Sequence, residues 1–199
     1  MLSHVGVVHR WAGRIVREGL ARPDGVTAEA PDDDSGLVEW YLDGFSSLVE
    51  TLRAAPDDVE CFAFLPAPSP LAFWARRQAL ETAIHRADAE AAMGGVAPYE
   101  DDLALDGMAE LLVGFGARKK VFEPATVRLA PAGAPSWLVT LGPEGLAAEA
   151  NDPGGAADVT VSGSPSEVYR WMWNRPADVA VEGSAAAAAE WQKLAVRWS

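Results

Sequence analysis

Cysteine is all but absent from this 199-residue chain: Cys61 stands alone, which removes any internal disulfide and agrees with a reducing compartment. Its setting, Cys61-Phe62-Ala63-Phe64-Leu65, is one in which an unpaired cysteine behaves as a small hydrophobe rather than as a nucleophile. Long apolar runs are missing too. Although 49% of the residues are apolar, no uninterrupted stretch approaches the roughly 18 needed to span a bilayer. The opening Met1-Leu2-Ser3-His4-Val5 has no basic region followed by a long apolar stretch, so no export signal is visible and a cytoplasmic protein is expected. Positive charge is scarce, with a net charge of -13. Only Arg118-Lys119-Lys120 forms a basic cluster, and it reads as an interdomain linker; a nucleic-acid binder needs a patch that displaces counterions from phosphates. Neither nucleic acid nor a membrane is an expected partner, and a monomer or weak dimer is.

The pattern of the chain changes near residue 120. Up to that point it reads as helical. From Leu2 to Leu20 the residues Val8, Trp11 and Ile15 fall on one helix face, and His4 shares it. A loop rich in Pro, Gly and Asp covers residues 21–36. Asp34 or Ser35 could cap the next helix, which runs to about Ala54 with Leu37, Tyr41, Leu48 and Leu52 as its buried stripe. A third helix should begin near Pro70, where the missing N–H costs nothing, and end at Gly94-Gly95. A fourth, about Asp101 to Phe115, starts with acidic residues that suit the positive end of the helix dipole. Beyond Lys120, residues 124–130, 136–142, 145–150, 157–162 and 178–182 read as strands joined by turns. Ser164-Pro165-Ser166-Glu167 is a capping-box start for a helix through Trp173, and Ser184 followed by alanines starts a final helix reaching Val196. The expected organisation is a helical domain over residues 1–118 and an α+β domain over 121–199, ordered β-β-β-β-α-β-α.

Histidine is rare, with three in the chain, and one completes Glu81-Thr82-Ala83-Ile84-His85. Residues four apart share a helix face, so the carboxylate and imidazole can reach a common point. Asp88 and, one step round, Arg77 belong to the same polar stripe. Beside it run Phe73, Leu80, Ile84, Ala87 and Ala91, which puts the charged seam at the core boundary, where such groups need partners or a metal. If the first helix packs with its Trp11 face inward, His4 supplies a third donor. Two imidazoles and one carboxylate make the ligand count of a catalytic zinc site. Zinc is the expected divalent ion, although nickel, cobalt and iron accept the same donors. His9, five residues past His4, points some 140° away by helical geometry and is not expected as a ligand. The bland alternative is an ordinary Arg77–Glu81 helix pair with a core histidine beside it.

The stretch from Phe73-Trp74-Ala75-Arg76-Arg77 through Glu81-Thr82-Ala83-Ile84-His85-Arg86-Ala87-Asp88 resembles the metal-site helix of the mycothiol-dependent maleylpyruvate isomerase family. Ser3-His4-Val5-Gly6-Val7-Val8-His9-Arg10-Trp11 is similar to that family's second helix, whose histidine before Val-Gly is a metal ligand and falls on His4. The likeness continues through Asp106-Gly107-Met108, Val159-Thr160-Val161-Ser162 and Trp171-Met172-Trp173-Asn174-Arg175. It implies a DinB-like four-helix bundle followed by a small α+β domain like that of sterol carrier proteins. Metal and mycothiol are the implied cofactors, and a small acidic substrate is the implied partner. The arginine that binds the acidic substrate in the characterised isomerases is best matched by Arg175. Arg175, Arg77 and Asp88 are therefore the candidate catalytic residues beside the ligands His4, Glu81 and His85. Abundant arginine, alanine and aspartate suit a GC-rich genome and the actinobacterial setting in which mycothiol occurs. Family members carry a helix and a Trp-containing loop ahead of the His4 position, so the bundle expected here either lacks that helix or begins upstream.

Two function classes lead, with a stress-linked protein that turns over no small molecule as a third. One is a thiol-dependent metalloenzyme, an isomerase or transferase, in which a cation converts a thiol into the reactive thiolate. The other is a non-catalytic protein that binds a small molecule or thiol and carries a structural metal. An open coordination position separates them.

Overall fold

The computed structural model describes residues 1–23, 28–33, 35–116 and 122–194. Asp34, the Arg118-Lys119-Lys120 linker and the end of the last helix at Val196 lie outside these residues. The chain divides into two compact units, Met1–Val96 and Ala97–Ser199.

The first unit holds three helices among the described residues: α1 (Leu2–Glu18), α2 (Leu37–Ala54) and α3 (Pro70–Ala92). Helix α1 stops at Gly19, whose left-handed φ of 60° lets its N–H return to the carbonyls of Ile15 and Val16. Its buried line runs through Val5, His9, Ala12 and Val16, with Ile15 beside it. Val8 and Trp11, expected on the inner face, are only half-buried, and His9, expected to point away, is 0% exposed. The reason is the α2 contact, which is made through glycine. A Cβ on Gly6 would stand 2.2 Å from the Trp40 ring, and one on Gly44 would stand 2.1 Å from the Arg10 guanidinium. Arg10 in turn lies 3.9 Å over the Trp40 ring and donates to the Trp40 carbonyl at 2.6 Å and to Asp43 at 2.9 Å. Of the stripe expected on α2, Leu48 alone is buried; Leu37, Tyr41 and Leu52 are half-covered.

Helix α3 begins as its sequence dictates: the Ser69 side chain accepts from Ala72 N at 3.1 Å, and Pro70 occupies the first turn. Phe73, Leu80, Ile84 and Ala87 are buried, whereas Ala91 is exposed near the helix end. Trp74 donates to the Phe62 carbonyl at 2.7 Å and pins the preceding loop. Trp11, Phe64 and Phe73 gather edge-on around it.

The second unit begins with α4 (Asp101–Ala109), which continues as a π-helical segment over Glu110–Phe115. Strands β1 (Ala125–Pro131), β2 (Trp137–Gly142), β3 (Gly145–Ala150) and β4 (Val159–Gly163) follow, then α5 (Pro165–Met172), β5 (Ala180–Gly183) and α6 (Ala185–Gln192). The element order is the one expected. The division at Val96, however, falls ahead of α4, whereas the change of pattern suggests a boundary near residue 120. Composition marks α4 as a helix but not the partner it packs on, and that partner is α5.

The sheet runs β3-β2-β1-β4-β5, with β1 and β4 parallel at its middle and the other pairs antiparallel. Alternation puts Val127, Leu129, Val139, Leu141, Val159 and Val161 out of solvent, and α5 and α6 pack on the central strands. The Ser164 cap accepts from Glu167 N at 3.3 Å. The Glu167 carboxylate, instead of closing the capping box, takes Arg170 and the N–H of Asp178.

Gly107 is where α4 meets α5. A Cβ there would stand 2.3 Å from the ring of Tyr169, which is fully buried and has nowhere to go. Alanine would gain about 1 kcal/mol of helix propensity, but overpacking of this kind costs about 1–3 kcal/mol. Gly107→Ala is therefore expected to lower the urea midpoint. An unchanged or raised midpoint would show that the α4–α5 contact yields.

Candidate metal centre

Helix α3 places Arg77, Glu81 and His85 one turn apart on a single line, and the first turn of α1 brings His4 against it. The Glu81 side chain is 5% exposed. Its two oxygens are divided. Arg77, itself buried, donates from Nη2 to Oε2 at 2.6 Å. The other oxygen, Oε1, faces His4 Nε2 at 3.3 Å and His85 Nε2 at 3.2 Å. The two rings stand edge to face with centroids 5.1 Å apart. On its far side, His85 Nδ1 lies 3.0 Å from Asp88 Oδ2. Arg77 and Asp88 thus bear on the donors, one holding the carboxylate and the other the imidazole.

The donor atoms of His4, Glu81 and His85 all lie within 4.8 Å of one another. Donors held 2.0–2.1 Å from one zinc at tetrahedral angles are about 3.4 Å apart, close to the 3.2 and 3.3 Å that separate Glu81 from the two imidazoles. The donor set and its spacing fit a divalent ion. No fourth His, Cys, Asp or Glu joins the group among the described residues, and the His4 side chain is 42% exposed, so one side of the triangle is open. The Asp88 contact supplies what metal-binding histidines need, a carboxylate on the opposite ring nitrogen that sets the tautomer.

Electrostatics here match a site built for a cation. Burial alone would push the Glu81 carboxyl up, but the His85 hydrogen bond and the Arg77 charge outweigh it and bring it down to about 2. The hydrogen bonds to Asp88 and Glu81 lift His85 from 6.5 to about 9, against the opposing pull of burial. Without an ion, a proton on His85 Nε2 does part of the ion's work.

The buried place of His9 is not evident from the spacing that singles out His4. It lies inside the helix packing, its Nε2 3.0 Å from Thr82 Oγ1 on α3. Burial, then the Arg10 charge, lowers its pKa to about 4. The signal was present as the i, i+4, i+7, i+11 line of Val5, His9, Ala12 and Val16. Cys61 is half-buried and burial raises its pKa, which removes it as a ready nucleophile. Arg175 belongs to the second unit. It is half-buried just past α5, and its Nη1 donates to the Trp173 carbonyl at 2.7 Å.

Residues 1–90 match the model of the mycothiol maleylpyruvate isomerase N-terminal domain, and residues 102–190 match that of the corresponding C-terminal domain. The chain belongs to the mycothiol maleylpyruvate isomerase family. The two family domains follow the two compact units, and α4 falls within the C-terminal match. No curated protein matches the chain. Among solved structures, a stereoselective inverting sec-alkylsulfatase from Pseudomonas sp. is 15% identical with a TM-score of 0.38, covering 96% of this chain and 28% of that one. A double mutant of a sec-alkyl sulfatase is 13% identical with a TM-score of 0.35, covering 80% and 22%. The chain thus spans about a quarter of the length of those enzymes. No described helix is long and apolar enough to cross a membrane.

The shifted groups predict how the metal-free family member responds to pH. His85, raised to about 9, contributes stability that is complete below 6.5 and lost as the pH climbs through 9. Glu81, lowered to about 2, contributes stability that is present above 4.5 and lost as the pH falls through 2. His9, lowered to about 4, subtracts stability as the pH drops below 6.5, because the unfolded chain takes that proton first. Chelator-treated protein should therefore be most stable near pH 6.5 and weaker at both pH 4.5 and pH 9.5. Urea midpoints that keep rising from pH 6.5 to 9.5 would contradict the His85 environment.

Proposed function

We propose that this protein binds one divalent metal, zinc by preference, through His4, Glu81 and His85, and works with the low-molecular-weight thiol mycothiol on a small acidic substrate. The reaction class is that of an isomerase or thiol transferase, with maleylpyruvate as the type of substrate. The observation that carries this reading is a three-donor triangle with one open side, in a chain whose two domains are those of the family. When bound, the ion would hold a thiol as its thiolate, the form that adds to and leaves a conjugated double bond. The finer structural reading is a DinB-like arrangement for the helical unit and a sterol-carrier-like fold for the sheet unit.

The chain's own residues have separate tasks in this proposal. His4 and His85 offer Nε2, and Glu81 offers Oε1. Arg77 neutralises Glu81 and prevents its carboxylate from swinging. Asp88 keeps the His85 proton on Nδ1, so that Nε2 presents its lone pair. Arg175 would pair with a carboxylate of the substrate through the planar fork of its guanidinium. The half-exposed His4 side admits a ligand while the Arg77 side stays closed.

Metal content of the purified protein, with maleylpyruvate turnover measured in the presence and absence of mycothiol, tests the reading. His85→Ala should abolish both bound metal and turnover. Arg175→Ala should leave metal content and folding intact and lower turnover of acidic substrates by about 1.5–3 kcal/mol, the worth of a hydrogen bond to a charged group. Arg175→Lys should not restore it fully, because lysine lacks the fork. A protein that binds metal and mycothiol yet turns over no acidic substrate would be a binding protein instead. Full activity in Arg175→Ala would take that residue out of the mechanism.

A further inference from the structure

The donor triangle is assembled from two helices. Glu81 and His85 are fixed to one another by α3, but His4 arrives alone on α1, so the site exists only at one setting of α1 against α3. Helix α1 packs chiefly on α2 and more sparingly on α3. Apolar contacts tolerate small rotations and slides, whereas a buried hydrogen bond fixes a direction and a distance. One such bond, buried at its His9 end, crosses from α1 to α3 at the residue next to Glu81: His9 Nε2 to Thr82 Oγ1, 3.0 Å. Thr82 is the residue after Glu81, and His9 lies about 7.5 Å along the helix from His4 at 1.5 Å per residue.

The His9 ring is an expensive choice for this place. It is 0% exposed, packs against Tyr41 and Phe45 of α2 with centroids 5.5 and 5.9 Å away, and leaves its Nδ1 buried without a partner. An apolar side chain would fill the space without orphaning a polar atom. An unpaired buried acceptor costs less than an unpaired N–H, which assigns the proton to Nε2, donated to Thr82. The ring is uncharged, so its contribution is directional rather than coulombic.

We propose that His9 is a positioning residue for the metal centre: its hydrogen bond to Thr82 sets the register of α1 on α3 and thereby the distance from His4 to the Glu81–His85 pair. This rests on the metal reading above. The test uses the full chain and cobalt(II) alone as probe, with affinity read by chelator competition, geometry by the visible cobalt bands, and stability by Tm. Thr82→Val, nearly isosteric but without the hydroxyl, is expected to weaken cobalt binding about tenfold or more, the size of effect that outer partners of metal ligands exert, and to shift the bands. Thr82→Ser should restore both. His9→Leu should match Thr82→Val, and His9→Gln, which keeps an N–H at similar reach, should recover part of the loss. This second pair decides the matter if Thr82→Val does not fold. Ile15→Val, a core change on the same helix, should lower Tm without moving the cobalt bands, which separates positioning from general loosening. Wild-type affinity and spectrum in Thr82→Val or in folded His9→Leu would overturn the proposal while leaving the metal reading intact. A folded wild-type protein that takes up no cobalt would remove both.

Discussion

Everything at the centre depends on how the buried Glu81 carboxylate is shared. One oxygen is committed to Arg77 within the same helix, which fixes the plane of the carboxylate and leaves the other oxygen as the point on which His4 and His85 converge. Burying a carboxylate costs several kcal/mol unless its charge is answered. Here it is answered twice, by a guanidinium that cannot be deprotonated and by two imidazoles that a cation can bridge. Asp88 extends the same logic outward, orienting His85 as Arg77 orients Glu81. Four of these five residues come from α3 and repeat at helical spacing, so the rigid part of the site is a single helix, and the single His4 is brought to it by packing.

That packing is made possible by small residues. Gly6 and Gly44 let α1 and α2 approach until Trp40 and Arg10 occupy the space that side chains would take, and the arginine lies over the indole while donating to the Trp40 carbonyl and to Asp43. The same device recurs in the second unit, where Gly107 receives the Tyr169 ring. The two units share a habit of setting a large aromatic ring against a bare backbone position, which gives close contact with few side chains to order.

Much of the secondary structure could be read in advance because the chain punctuates itself. Ser69-Pro70 and Ser164-Pro165 mark helix starts whose caps form as their chemistry requires, and the strands are short alternating runs between glycines and prolines. The Glu81/His85 pair was legible from spacing alone, whereas His4 depended on a helix packing that spacing does not determine, and its place came with the family resemblance. The inner face of α1 differs from the expected one because Gly6 and Gly13, which lie against Trp40 and Leu48 of α2, add nothing to a hydrophobic stripe. The partner of α4 was hidden for a similar reason. The π-helical turn at Glu110–Phe115 leaves no mark in periodicity.

His4 reaches the triangle from α1, while Glu81 and His85 stand in the middle of the long α3. An ion held by all three residues would cross-link the two helices, and whatever binds the folded pairing but not the opened one stabilises it by mass action. Metal affinity and the stability of the helical unit would then be one linked quantity, each raising the other.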